Sequence, residues 1–125
     1  MKFQIVLLCL FFLVELNATP FYFKSYDMED GLSNNHVTCC VQDDYGFMWF
    51  GTRDGLNRFD SKKFYTFKSY SSEKGSLMSS YILDLAKSPT GQIWVSTNLG
   101  LQKYDYQTDS FTLIDFTKGI NCYSC

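Results

Sequence analysis

Two stretches of the chain share one pattern of apolar and polar positions. Phe47-Met48-Trp49-Phe50-Gly51-Thr52 is apolar almost throughout, without the alternation of a half-exposed strand. A short run of this kind reads as a strand buried on both faces. Ahead of it stands Asp43-Asp44-Tyr45-Gly46, with Asp early and Gly last, as a type I turn favours. Behind it Arg53-Asp54-Gly55 makes a tight turn into a further strand, Leu56 to Asp60. The pattern returns 45 positions later in the stretch Gly91 to Asp105. Gly, Trp, Thr, Gly, Leu and Asp recur in register, Arg58 becomes Lys103, and Phe59 becomes Tyr104.

The flanks complete a four-strand unit. Val37-Thr38-Cys39-Cys40-Val41 alternates, which predicts an inner strand with Val37, Cys39 and Val41 on one side. Phe64 to Tyr70 is an aromatic outer strand, echoed by Phe111 to Phe116 and, near the start, by Phe21-Tyr22-Phe23-Lys24-Ser25-Tyr26. A repeat near 45 residues with Trp in its second strand predicts β-propeller blades. The fold class expected is all-β, a partial β-propeller of about two four-stranded antiparallel blades plus a closing strand, preceded by a signal-peptide helix. The boundaries drawn are 1–18 for the signal peptide, 19–35 for the closing outer strand and lead-in loop, 36–70 for one blade, 71–80 for a linker, 81–116 for the next blade, and 117–125 for the start of a third. No sustained 3.6-residue period follows the signal, so no other helix is expected. Two blades bury one pair of faces and leave two uncovered, whereas closed propellers use about four to eight blades. The chain therefore reads as a piece of a longer protein, its open faces meeting the remaining blades or, by self-association, another copy.

Lys2 followed by an apolar run to Val14 and a small residue at Ala18 forms the signal-peptide pattern, and implies export. The apolar run is about a dozen residues, short of the roughly 20 that span a bilayer. Charge is nearly balanced, with 11 basic and 13 acidic residues. That offers no basic footprint for nucleic acid. Cys9 falls inside the signal, leaving Cys39, Cys40, Cys122 and Cys125. Adjacent Cys39 and Cys40 point to opposite faces of a strand, so with Cys122-x-x-Cys125 they make a poor metal set. No metal and no cofactor are expected; buried free thiols are the first reading, a disulfide the second.

Trp49 to Asp60, together with Gly31-Leu32-Ser33-Asn34-Asn35 and Asp44-Tyr45-Gly46, resembles the two-component regulator propeller repeat. The second blade keeps Ile93-Trp94-Val95-Ser96-Thr97 and Gly100-Leu101 but has Asn98-Leu99 in place of Arg53-Asp54. The resemblance implies the periplasmic sensor region of a hybrid two-component histidine kinase, detecting glycan breakdown products. The parent would be anchored in the inner membrane through parts that lie outside this sequence. The chain itself is expected to carry no catalysis. His36, its one histidine, heads a strand rather than sitting on a helix beside an acid, as a kinase phosphoacceptor would.

In a meander, the blade-to-blade crossing and the second-to-third turn share one rim. Asn34, Asn35, Arg53, Asp54 and Asn98 fall there and are the candidate ligand-binding residues for an oligosaccharide. Arg can hold a carboxylate or sulfate bidentately, and Asn amides suit hydroxyls. All are also ordinary turn formers. Trp49 and Trp94 are expected between blades rather than as sugar platforms. The competing functions are an exported interaction scaffold and, behind it, a propeller lyase or hydrolase; for the latter Asp84 is the sole acid on an inner strand.

Overall fold

A computed structural model of the protein describes residues 19–116. The signal segment at 1–18, the third-blade start at 117–125, and Cys9, Cys122 and Cys125 lie outside the described residues. Eight strands follow in order: β1 (Val37–Gln42), β2 (Met48–Thr52), β3 (Gly55–Phe59), β4 (Phe64–Phe67), β5 (Ile82–Lys87), β6 (Ile93–Thr97), β7 (Gly100–Asp105) and β8 (Ser110–Leu113). They form two antiparallel meanders, β1-β2-β3-β4 and β5-β6-β7-β8. The turns expected from Asp/Ser and Gly are closed by matching bonds, Gly46 N to Asp43 O (3.2 Å) and Gly91 N to Ser88 O (3.0 Å).

The strand register sorts the side chains into faces. On the first sheet Cys39, Val41, Trp49, Leu56, Arg58 and Phe67 share one side, which meets the second sheet. The answering side of the second sheet carries Ile82, Leu85, Ile93, Val95, Tyr104 and Phe111. Together these apolar residues, with Leu77, form the core, and Trp49 is 0% exposed within it. Trp94, the repeat of Trp49, is turned the other way from Ile93 and Val95, on the far face of the second sheet, and is half-buried. The inner strands meet most closely. At Gly51 an added Cβ would lie 2.5 Å from Cys39 Sγ and 2.6 Å from Ile82 Cγ2, so glycine is what lets β5 approach β2.

Three details differ from the sequence reading. Val37 does not share a face with Cys39 and Val41, because the register shifts between Val37 and Cys39. The extra residue is Thr38, whose hydroxyl donates to Gly51 O (3.1 Å) and, across the interface, to Ile82 O (2.9 Å). A bulge thus re-aims a side chain into a cross-blade bond and flips what precedes it. The second difference is a single 3₁₀ turn, Met28–Asp30, where no helix was expected. Asp27 and Asp30 satisfy each other's backbone amides as a capping box, and Gly31 ends the turn at φ 106°. Thirdly, the outer strands stop at Phe67 and Leu113, short of Tyr70 and Phe116; residues 21–26, read as a strand for a blade outside this sequence, pair with neither sheet, and Phe21, Tyr22 and Phe23 are 89%, 90% and 97% exposed. Only Tyr26 at its end is seated, edge-on to Phe59 (4.9 Å) and Phe64 (5.7 Å).

Each sheet also anchors the segment that enters it. Buried Asn57 accepts from Ser33 N (2.9 Å) and donates to Ser33 Oγ (2.8 Å). Buried Gln102 accepts from Met78 N (2.8 Å) and donates to Ser76 O (3.2 Å). Beside these bonds Leu32 and Leu77, 45 residues apart, are buried on equivalent faces.

Gly51→Val should destabilise the protein by about 1–3 kcal/mol through overpacking, since the nearest atoms belong to packed strands. A urea titration followed by tryptophan fluorescence would read this as a lower midpoint at unchanged slope.

Candidate functional site

The antiparallel register puts the Arg53-Asp54 turn, the Asn98 turn and the lead-in at Asn34-Asn35 at the same end of the two sheets. Several of these side chains already have work within the fold. Asn34 Oδ1 accepts from His36 N (2.8 Å), Asn35 Oδ1 accepts from Met28 N (2.9 Å), and Asp54 is ion-paired with Lys68 (2.7 Å). Arg53 and Asn98 are exposed at the tips of their turns. His36 lies in the loop immediately before β1, away from any helix.

The chemistry that sequence reasoning missed is concentrated between the sheets. Asp43, read as a turn former, is buried and takes four donors. Its Oδ1 accepts from Tyr45 N (3.0 Å) and Phe47 N (2.9 Å), and its Oδ2 from Trp49 Nε1 (2.7 Å) and, from the second sheet, Tyr106 OH (2.9 Å). The same carboxylate fixes the β1–β2 turn, orients the Trp49 ring and ties on the next blade. Beside it Lys87 pairs with Asp44, and the Tyr45 and Tyr106 rings lie 4.8 Å apart.

A second group surrounds Arg58, whose side chain is 16% exposed. Its guanidinium sits 5.2–5.6 Å from the rings of Phe47, Trp49, Tyr65 and Phe67 and 6.0 Å from Tyr104. One nitrogen donates to Tyr104 OH (2.6 Å) and reaches Asp109 Oδ1 (3.2 Å), while Tyr104 OH also contacts that carboxylate. Arg58 Nε is buried with no partner among the described residues. A weakly hydrated, flat cation suits such a ring-lined slot where an ammonium would not. The signal for this group was present in the repeat itself, as Arg58/Lys103 and Phe59/Tyr104, but which sheet each would face was hidden until the register was known.

Burial, reinforced by the Asp109 carboxylate, holds the Tyr104 hydroxyl above the ordinary tyrosine range, with Arg58 opposing. Burial and the bond to Asp43 do the same for Tyr106. Burial also pushes the Cys39 thiol up, which disfavours its thiolate. Cys39 and Cys40 are both free, and Cys40 is exposed rather than buried as expected, because it points away from the interface with Phe50. At the end opposite the Arg53 rim, a shallow groove of ≈ 370 Å³ is lined by Tyr45, Gln92, Lys103, Tyr104, Tyr106 and Gln107.

Asp43→Asn should cost about 1.5–3 kcal/mol, the range for hydrogen bonds to a charged acceptor, because an amide cannot accept on both oxygen positions. Chemical denaturation would measure the loss, and a shift in tryptophan emission would report the freed ring. The tyrosines give a pH dependence of definite sign. A folded-state pKa raised above the unfolded one contributes stability below the unfolded value, about pH 10, and loses it as pH rises through the folded one. Stability should therefore fall on the alkaline side of about pH 10, and the fall should be shallower in Tyr106→Phe, as unfolding at a series of pH values would show.

Residues 31–54 match the family model described as Two component regulator propeller. Histidine kinase P4 of Formosa agariphila is 46% identical over 67 residues, which is 52% of this chain and 5% of that protein. The solved extracellular domain of BT3049 of B. thetaiotaomicron, described as a hybrid two component system, superposes with a TM-score of 0.69 at 36% identity, covering 78% of this chain and 14% of the other. The extracellular domain of BT4673 of the same organism shares the fold, with a TM-score of 0.62 at 23% identity over 78% of this chain and 15% of that one. The chain thus spans a small part of the length of each. Residues 31–54 thus match the two component regulator propeller repeat, and the chain folds as two consecutive four-stranded propeller blades.

Proposed function

We propose that the chain is the N-terminal piece of a periplasmic sensor propeller in a two-component signalling protein, and that its ligand is a fragment of a glycan. The observation that carries this reading is the likeness of the two blades, in both sequence and fold, to the extracellular domain of a hybrid two component system. In this reading the chain supplies recognition and no catalysis, and the kinase activity resides elsewhere in the parent. The remaining blades of the parent are its direct partners.

The ligand is proposed to bind at the rim that carries Arg53 and Asn98. Arg53 offers a planar fork to a uronate or sulfate, and Asn98 an amide to a hydroxyl. Asn34, Asn35 and Asp54 act there by shaping the turns, through the bonds they already make. The Tyr45–Tyr106 groove at the other end joins a ring face to amides, a combination that also suits a sugar, so the two ends need separating by experiment.

Calorimetry on the extracellular domain of the full-length parent, with a panel of acidic and neutral oligosaccharides, tests this. One class should bind, and Arg53→Ala combined with Asn98→Ala should weaken it by roughly tenfold or more. Tyr45→Ala should leave the affinity unchanged. Absence of binding across the panel, or a loss caused by Tyr45→Ala alone, would overturn the assignment.

A further inference from the structure

The interface between the two blades has a direction, and that direction continues onto the faces left open. On the first sheet, Trp49 and Arg58 are directly paired across β2 and β3, and the second sheet answers them with the Tyr104 hydroxyl and the Asp109 carboxylate. On the second sheet, Trp94 and Lys103 are directly paired across β6 and β7 in the same register. They lie on the far face, with Lys103 exposed. Lys103 therefore stands, relative to whatever covers that face, where Arg58 stands relative to the second sheet.

The front face of the first sheet is the repeat of the face that answers Arg58, but its chemistry is different. Phe59 pairs with Phe64 where Tyr104 pairs with Phe111, so the hydroxyl is missing. The turn that follows is Ser61-Lys62-Lys63, in the place where the longer turn of the second sheet carries Asp109. Around them Val37, Met48, Phe50 and the Tyr26 ring seated on Phe59 and Phe64 line an apolar groove of ≈ 330 Å³. If a second copy laid its Trp94 face there, the Lys103 ammonium would lose water, find no carboxylate at the place of Asp109, and approach the Lys62 ammonium instead. Such a charge is costly to bury and is repelled besides.

We infer that the face bearing Trp94 and Lys103 is covered by a β-sheet presenting a phenolic hydroxyl and a carboxylate to Lys103, and that it refuses the front face of a second copy of this chain. The existing Arg58–Tyr104–Asp109 contact shows what such a covering sheet supplies, and the unlike charges at Asp109 and Lys62 exclude self-stacking. This is independent of the identity of any ligand.

Sedimentation velocity on the full chain tests the inference. Phe59→Tyr with Lys62→Asp converts the front face into the acceptor that Lys103 requires. That double variant should self-associate at concentrations lower than wild type by about tenfold or more, and adding Lys103→Ala should return it to wild-type behaviour. As a second arm, Lys103→Glu in the unaltered chain sets an acid against Lys62; it should also strengthen association, and high salt should reverse the gain. Wild type associating as tightly as the double variant, a gain that survives Lys103→Ala, or no change in either arm would overturn it.

Discussion

Trp49 can be buried between two sheets only if its indole N–H finds an acceptor there. Asp43 supplies one at 2.7 Å, and the rest of the interface is arranged around that bond. A carboxylate with no hydrogen bonds would cost far more to bury than the ring gains. Two amides of its own turn and the Tyr106 hydroxyl of the next blade supply the remaining donors. Turn geometry, ring orientation and blade spacing are therefore not three separate properties. Displacing the second blade would strip the Tyr106 donor from Asp43 and uncover the indole ring that Asp43 orients. In a repeat architecture, where each unit touches only its neighbours, this is how a small local bond comes to govern cooperativity between blades.

The connections obey a similar economy. Asn57 and Gln102 each reach from the third strand of a sheet to the segment that enters it, and a leucine is buried beside the bonds. The lead-in is thereby fixed by the sheet it precedes, and in the second blade Ser76, Met78 and Ser80 also bond to Ser69 and Tyr70 just past β4. Gly75 O extends the docking by accepting from Phe111 N (2.7 Å), so the linker also runs along the outer strand of the second sheet. With the crossings held in this way, the turn tips at Arg53 and Asn98 carry none of the structural burden, which leaves them available for recognition on a rigid frame.

Much of the architecture was legible because the repeat is written in residue types whose placement is narrow. Trp in a continuous apolar run, Gly at turn ends, and a leucine after the tight turn recur at one spacing, and both sheets, their strand order and the shared rim follow from them. What the pattern could not carry was direction. Period-two alternation assigns residues to two faces but not to a neighbour, and a bulge at Thr38 inverts the assignment for Val37. The partners of Arg58 lie 46 and 51 positions away, on a sheet whose facing side depends on that register. Asp43 was invisible for another reason. Asp at the head of a type I turn is common, and nothing local distinguishes a solvated one from one roofed over by a tyrosine 63 positions later. Likewise Asn34, Asn35 and Asp54 are chemically apt for a ligand, yet two bond to backbone amides and the third to a lysine.

The two blades share a backbone but differ where charge is placed. Ser88 occupies the Asp43 position and closes its turn through the same backbone pair, Ser88 N to Gln92 O (2.9 Å). Its hydroxyl accepts from Gln92 N (3.1 Å), a neutral bond in place of charged ones. Lys103 replaces the planar Arg58, and Thr112 replaces Tyr65 at its cross-strand neighbour. These changes take a carboxylate and a ring contact from the far face of the second blade, while Lys103 keeps the positive charge. The first interface is thus the more strongly specified of the two, and it lies inside the chain, where it needs no help from effective concentration beyond a short linker.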